Sequence, residues 1–250
     1  MADSPGRTRT VAAVDPATAS TEPIRLTLLG SFRLEQGSST LDPAARGQRI
    51  LAMLALLGPM SRAHAAGLLW PDASARHAQG SLRTAVWRLR QVEPDLVEPW
   101  GEYLQLGHRL QVDVTGFTAW ARRLLQAEGV EPGDLCPVLP SMGELLPGWD
   151  DEWTLLERER VRQLRLHALE ALARRLCDAG RFPAAESAAL EAIRLEPLRE
   201  SAYHTLIAVH LAENNTAEAR RHYRTFHAIL GRAMGVEPSA HLRGLVGSIA

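Results

Sequence analysis

The chain has 250 residues, of which 46% are hydrophobic and 23% charged, with a formal net charge of −1. That composition belongs to a globular protein, and no run approaches the roughly 20 apolar residues that a membrane helix needs. Two cysteines, Cys136 and Cys177, lack the CxxC spacing of a zinc cluster and are too few for a disulfide framework. Cytoplasmic residence is therefore the default expectation.

Near-neutral charge does not advertise a nucleic-acid binder, so its distribution matters more. All 28 basic residues are arginines. Between Ala73 and Val92 stand Arg76, Arg83, Arg88 and Arg90 with no acid among them.

Residues 1–23 are rich in Ala, Thr, Ser and Pro and read as a disordered tail without a signal-peptide pattern. Ile24-Arg25-Leu26-Thr27-Leu28 then alternates apolar and polar, as a half-buried strand does. Phe32-Arg33-Leu34 resumes the alternation, and Gly37-Ser38-Ser39 turns the chain into a short return strand near Thr40-Leu41.

Three helices are expected next. The first runs from about Arg46 to Leu57, with Ile50, Leu51, Leu54 and Leu57 on one face, and stops at Gly58-Pro59. Ser61 is placed to cap the second, which ends at Trp70-Pro71. Ser74 or Asp72 can cap the third, Ala75 to about Val92, which ends before Pro94. A hairpin follows, Leu96-Val97 returning through Pro99-Trp100-Gly101-Glu102 to Tyr103–Leu106. Sheet, three helices, hairpin is the order of a winged helix, whose third helix is presented to DNA.

From Phe117 onward strand signals cease, and helices are expected at 117–127, 151–179, 182–195, 198–212, 216–233 and 239–247. Ala168, Leu172 and Ala185 recur as Ala202, Leu206 and Ala219, each 34 residues later. That is the period of tetratricopeptide helix pairs. The fold class expected is mainly α. An α+β winged helix-turn-helix spans residues 24–115, and an all-α tetratricopeptide-like domain spans 116–250.

A wheel at about 100° per residue tests the third helix. Leu82, Ala85, Val86, Leu89 and Val92 form the core stripe, with Arg90 near its edge. Gly80, Thr84, Trp87 and Gln91 lie opposite, flanked by Arg83 and Arg88. With no Asp or Glu to balance the arginines, this face suits a phosphate-lined groove. Arg83 or Arg88 can bond guanine, Thr84 can meet a thymine methyl, and Gln91 can pair with adenine or a phosphate. With Arg76 and Ser81 from the first turns, the DNA-binding candidates are Arg76, Ser81, Arg83, Thr84, Trp87, Arg88, Arg90 and Gln91.

The run Leu82-Arg83-Thr84-Ala85-Val86-Trp87-Arg88-Leu89-Arg90 resembles the recognition helix of the Streptomyces antibiotic regulatory proteins, a family of actinobacterial pathway-specific activators. Gly47 through Leu56 resembles their first helix, and Leu68-Leu69-Trp70-Pro71-Asp72 the end of their second. Tyr103–Leu106 and Val112-Asp113-Val114 resemble their wing strand and its exit. Four further runs resemble the family's bacterial transcriptional activation domain: Leu145–Trp149, Glu157–Arg160, Glu196–Glu200 and Gly235–Pro238. The likeness extends from about Ile24 to the C-terminus.

The resemblance implies an OmpR-like winged helix joined to a helical domain that supports self-association. It also implies binding to direct repeats in promoter DNA, recruitment of RNA polymerase, and control of antibiotic biosynthesis. It makes Arg83, Thr84, Trp87, Arg88 and Arg90 DNA-facing, and Trp70, Pro71 and Asp72 a polymerase contact. The wing departs from the pattern, carrying Glu98 and Glu102 and no arginine at its tip. No GxxxxGK[ST] occurs, so the chain resembles the family's small class.

No cofactor is implied. GxSxG and GxGxxG are also absent, and the nine histidines lack the HExxH spacing of a zinc protease. The residues point to a binding protein and not an enzyme. The alternative is a protein-interaction scaffold whose winged helix does not meet DNA, which the acidic wing favours.

Overall fold

A computed structural model describes residues 22–126 and 142–247 of the chain. The tail expected at 1–23 lies outside the described residues as far as residue 21, and so does Cys136.

The first sheet contains β1 (Ile24–Thr27), β2 (Arg33–Gln36) and β3 (Ser39–Thr40) as an antiparallel meander. Three helices follow, α1 (Ala45–Leu57), α2 (Arg62–Leu69) and α3 (Ala75–Val92), with a short strand β4 (Met60–Ser61) between the first two. The hairpin is β5 (Val97–Trp100) with β6 (Tyr103–Leu106). The chain returns through β7 (Leu110–Val112) into α4 (Asp113–Gln126), so position 115 falls inside a helix. The remaining described elements are α5 (Glu152–Asp178), α6 (Phe182–Leu195), α7 (Glu200–Ala212), α8 (Thr216–Met234) and α9 (Ala240–Gly247).

Two strands escaped the sequence reading. The first, β7, pairs parallel with β1, Leu26 opposite Val112, making the sheet order β3-β2-β1-β7. The second, β4, pairs with β6 and completes a three-stranded wing, β4-β6-β5. Both are too short to show an alternating pattern, and their partners lie far away in the chain.

Leu28, expected to end the first strand, lies beyond it. Its backbone N–H goes instead to the Asp113 carboxylate, at 3.0 and 3.1 Å, and the Leu29 N–H reaches the same group at 3.0 Å. Leu29 forms an antiparallel bridge with Leu145, and Leu146 N–H donates to the Leu28 carbonyl. Here the segment leading into α5 lies against the first sheet. A Cβ on Gly143 would fall 2.4 Å from the Gly30 Cα, so only glycine allows the two backbones this close.

Arg49 of α1 strengthens the same junction. Its guanidinium binds Asp151, the residue preceding α5, and lies 5.0 Å from the centre of the Trp149 ring. Arg158 donates to the carbonyls of Leu145, Leu146 and Trp149. One continuous buried cluster therefore runs from Ile24 through Leu54, Leu89 and Trp120 into α5 and α6.

The 34-residue repeat is visible in the backbone itself. Gly180 and Asn214 both adopt left-handed φ, +70° and +65°. Gly180 and Arg181 donate to Cys177 and Leu176 just as Asn214 and Asn215 donate to Leu211 and His210. Ala168, Ala185, Ala202 and Ala219 are each fully buried where helices meet. Small residues there let helix axes approach closely.

Candidate nucleic-acid interface

Helix α3 holds the candidate site. It is cut off at its C-terminus by Glu93 in an extended conformation, ahead of Pro94. Ala78, Leu82, Ala85, Val86 and Leu89 are buried and fix its rotation about its own axis. Val92, expected on this stripe, is 38% exposed because the last residue of the helix overhangs the core. Leu57, at the end of α1, is 38% exposed for the same reason.

All eight DNA-binding candidates, Arg76, Ser81, Arg83, Thr84, Trp87, Arg88, Arg90 and Gln91, are exposed. Seven of them divide between two edges of one surface, with Gln91 between them near the end of the helix. Arg76, Ser81, Thr84 and Arg88 line a groove of about 890 Å³ closed on its other side by Pro43–Gly47 at the start of α1. Arg83, Trp87 and Arg90, spaced four and three along the helix, form the other edge. Trp87 is 61% exposed, so it is not held by the core. The Thr84 hydroxyl donates to the Gly80 carbonyl at 3.1 Å, leaving its methyl and its oxygen lone pairs available.

The charge on this helix is of one sign. Arg76, Arg83, Arg88 and Arg90 have no carboxylate partner among the described residues. Several arginines elsewhere do pair with acids, among them Arg49, Arg158, Arg165 and Arg199. The four α3 charges are thus solvated cations whose attraction is not spent within the fold.

The wing is built differently. Gly101, at φ +58°, makes the tight turn at its tip. Trp100 and Tyr103 face one another across the turn, 5.8 Å apart, and are 64% and 47% exposed. Glu98 is not a free acid at the tip. The His108 ring and backbone N–H bind it, with Gln105 assisting, and hold its carboxyl below the usual carboxylate range. Glu102 alone carries charge at the turn.

The second candidate site is the α2–α3 loop. Pro71 and Asp72 are exposed, whereas Trp70 is half-buried beneath the Arg46 guanidinium, 5.5 Å from its ring centre. Neither residue offered as a cap for α3 makes a capping bond. Ser74 occupies the N-cap position, but its hydroxyl bonds the His77 ring at 2.7 Å. Asp72 has no hydrogen-bond partner among the described residues.

Sequence reasoning also missed two stacked imidazole pairs. His204 and His241 join α7 to α9 with ring centres 4.7 Å apart, and His210 and His222 join α7 to α8 at 5.1 Å. Partners 37 and 12 residues apart carry no sequence signal. No group of three or more His, Cys, Asp or Glu side chains able to hold a metal occurs among the described residues.

Residues 142–250 match the bacterial transcriptional activator domain. The chain is 27% identical over 243 residues to the regulatory protein AfsR of Streptomyces griseus, covering 92% of this chain and 24% of that protein. The chain is thus similar to bacterial transcriptional activators in its helical part and to a streptomycete regulatory protein over most of its length. A solved structure of Mycobacterium tuberculosis EmbR, in complex with a low-affinity phosphopeptide, shares the fold at a TM-score of 0.72 and 19% identity. That likeness covers 91% of this chain and 65% of the EmbR chain. The chain therefore spans about a quarter of the AfsR length and just under two thirds of EmbR. The matched region carries the description of a transcriptional activator domain, and this chain is built as a winged helix followed by helical repeats. No helix among the described residues is long and apolar enough to cross a membrane.

Proposed function

We propose that the chain is a sequence-specific DNA-binding transcriptional activator. It grips direct repeats in promoter DNA through α3 and recruits RNA polymerase through Trp70, Pro71 and Asp72. One observation carries the DNA reading: four arginines without carboxylate partners share one exposed helix face with Thr84, Trp87 and Gln91. Such a face can supply both phosphate and base contacts. Functionally the chain divides near residue 115, the helical part pairing protomers on tandem sites in the cytoplasm. The regulated genes belong to a secondary-metabolite pathway, in keeping with the family.

The activity is binding without catalysis or cofactor. The test is footprinting of the full chain on genomic fragments across a salt series. Protection of two repeats in the same orientation, weakening steeply with salt, is the expected result. A second reading, a scaffold that does not meet DNA, draws support from the wing tip, where two exposed aromatics and Glu102 replace a cation. Absence of salt-dependent protection at any fragment would favour it.

A further inference from the structure

On the far side of Trp70 lies a second groove, of about 800 Å³, within the roughly 300–1,000 Å³ range of binding clefts. One wall is the α2–α3 loop, Trp70 through Ala73, and the other is the start of α5, Asp150 through Trp153 with Leu156. Arg46 and Trp70 line both this groove and the one beside α3, so that stacked pair is the partition between them.

The two grooves have opposite character. Asp72, Asp150 and Glu152 are exposed and have no cationic partner among the described residues. Asp151 is already committed to Arg49, and Arg46 to Trp70 and the Leu69 carbonyl. Beside the carboxylates, Leu156 near the start of α5 lines the groove and is 68% exposed. Trp153 is only 6% exposed and lines the groove.

We infer that this groove is one composite docking site, shared by the α2–α3 loop and the first turn of α5, for a cationic amphipathic helix of the transcription machinery. It rests on the polymerase reading of the loop and extends that contact into the helical domain. The carboxylates repel nucleic acid and select arginine or lysine, while Leu156 meets the apolar ridge of the incoming helix. Because Arg46 and Trp70 separate the two grooves, a protein partner can sit here while α3 occupies DNA.

The test uses the full chain on its footprinted promoter with RNA polymerase holoenzyme purified from Streptomyces griseus. Four proteins are compared with wild type: Asp72→Asn, the pair Asp150→Asn with Glu152→Gln, Leu156→Ala, and Leu190→Ala on α6 as a remote exposed control. Promoter occupancy by polymerase, operator affinity of the protein alone, and thermal unfolding are measured for each. The first three are expected to weaken polymerase recruitment by about fivefold or more, the threshold of an energetically significant interface residue, with operator affinity held within about twofold. Leu190→Ala should match wild type. If Asp72→Asn alone weakens recruitment, the composite site is wrong and the loop contact stands. If none of the three does, both readings fall. If Leu156→Ala or the paired variant lowers the melting temperature along with recruitment, those residues are structural and the inference is overturned.

Discussion

Replacing Arg83 or Arg88 by alanine separates a base contact from a phosphate contact, because the two respond differently to salt. Both side chains are exposed and without carboxylate partners among the described residues, so neither change should alter folding by more than about 0.5 kcal/mol. Each neutralised phosphate contributes about 0.9 to the slope of log affinity against log salt. If all four α3 arginines meet phosphate, they alone contribute a slope of about −3.6. Between 50 and 200 mM salt that amounts to a loss of affinity of roughly 150-fold. Removing one such contact should shrink the loss by about 3.5-fold, equally on cognate and random DNA. Removing a base contact should instead cost about 1–3 kcal/mol on the cognate site and little on random DNA. Fluorescence anisotropy with labelled cognate and scrambled duplexes at four salt concentrations resolves the two. We expect Arg88, in the groove against α1, to behave as a phosphate contact, and Arg83, beside Trp87, as a base contact. Unchanged affinity and unchanged slope in both variants would refute α3 as the reading helix.

Glu170 is buried and binds Arg199 at 2.6 Å and the Ser201 hydroxyl at 2.7 Å, so Glu170→Ala should cost about 3–5 kcal/mol in urea unfolding by orphaning the arginine. Gly180→Ala should cost about 1–2 kcal/mol because φ is +70° there. Asn214→Gly at φ +65° should be neutral or slightly stabilising, which paired melting curves would check. Burial, then the charge of the stacked partner, holds His204 and His222 below their ordinary value of 6.5. The groups facing His222 are His210, Arg221, Glu218 and Glu186, and those facing His204 are His241, Arg174 and Glu200. The unfolded chain therefore takes up these protons first, so their contribution to stability is intact above about pH 6.5 and falls as pH drops through it. Melting temperatures at pH 7.5 and 5.5 should show that loss, and His222→Gln should reduce it.

Much of this architecture was legible in the chain alone because its signals are local. The apolar spacing of Leu82, Ala85, Val86 and Leu89 dictates which side of α3 is buried, and so which side carries Arg83, Thr84, Trp87 and Arg88. The Ser61 cap, realised as its hydroxyl accepting from the His64 N–H, needs only three residues. The 34-residue recurrence of Ala168 and Ala202 reports a repeating helix pair, since each unit must bury the same small side chain against its neighbour. What the sequence could not contain was any pairing between distant segments. The parallel strand β7 is three residues long and owes its existence to β1. Leu28 leaves its strand because Asp113, 85 positions away, takes its N–H. Asp72 looked like a helix cap by position, yet tertiary structure turned it toward the first turn of α5, where it shares a groove with Asp150 and Glu152. Periodicity and capping are set within one or two turns of chain, whereas grooves, orphaned charges and stacked histidines arise only when separate elements are packed together.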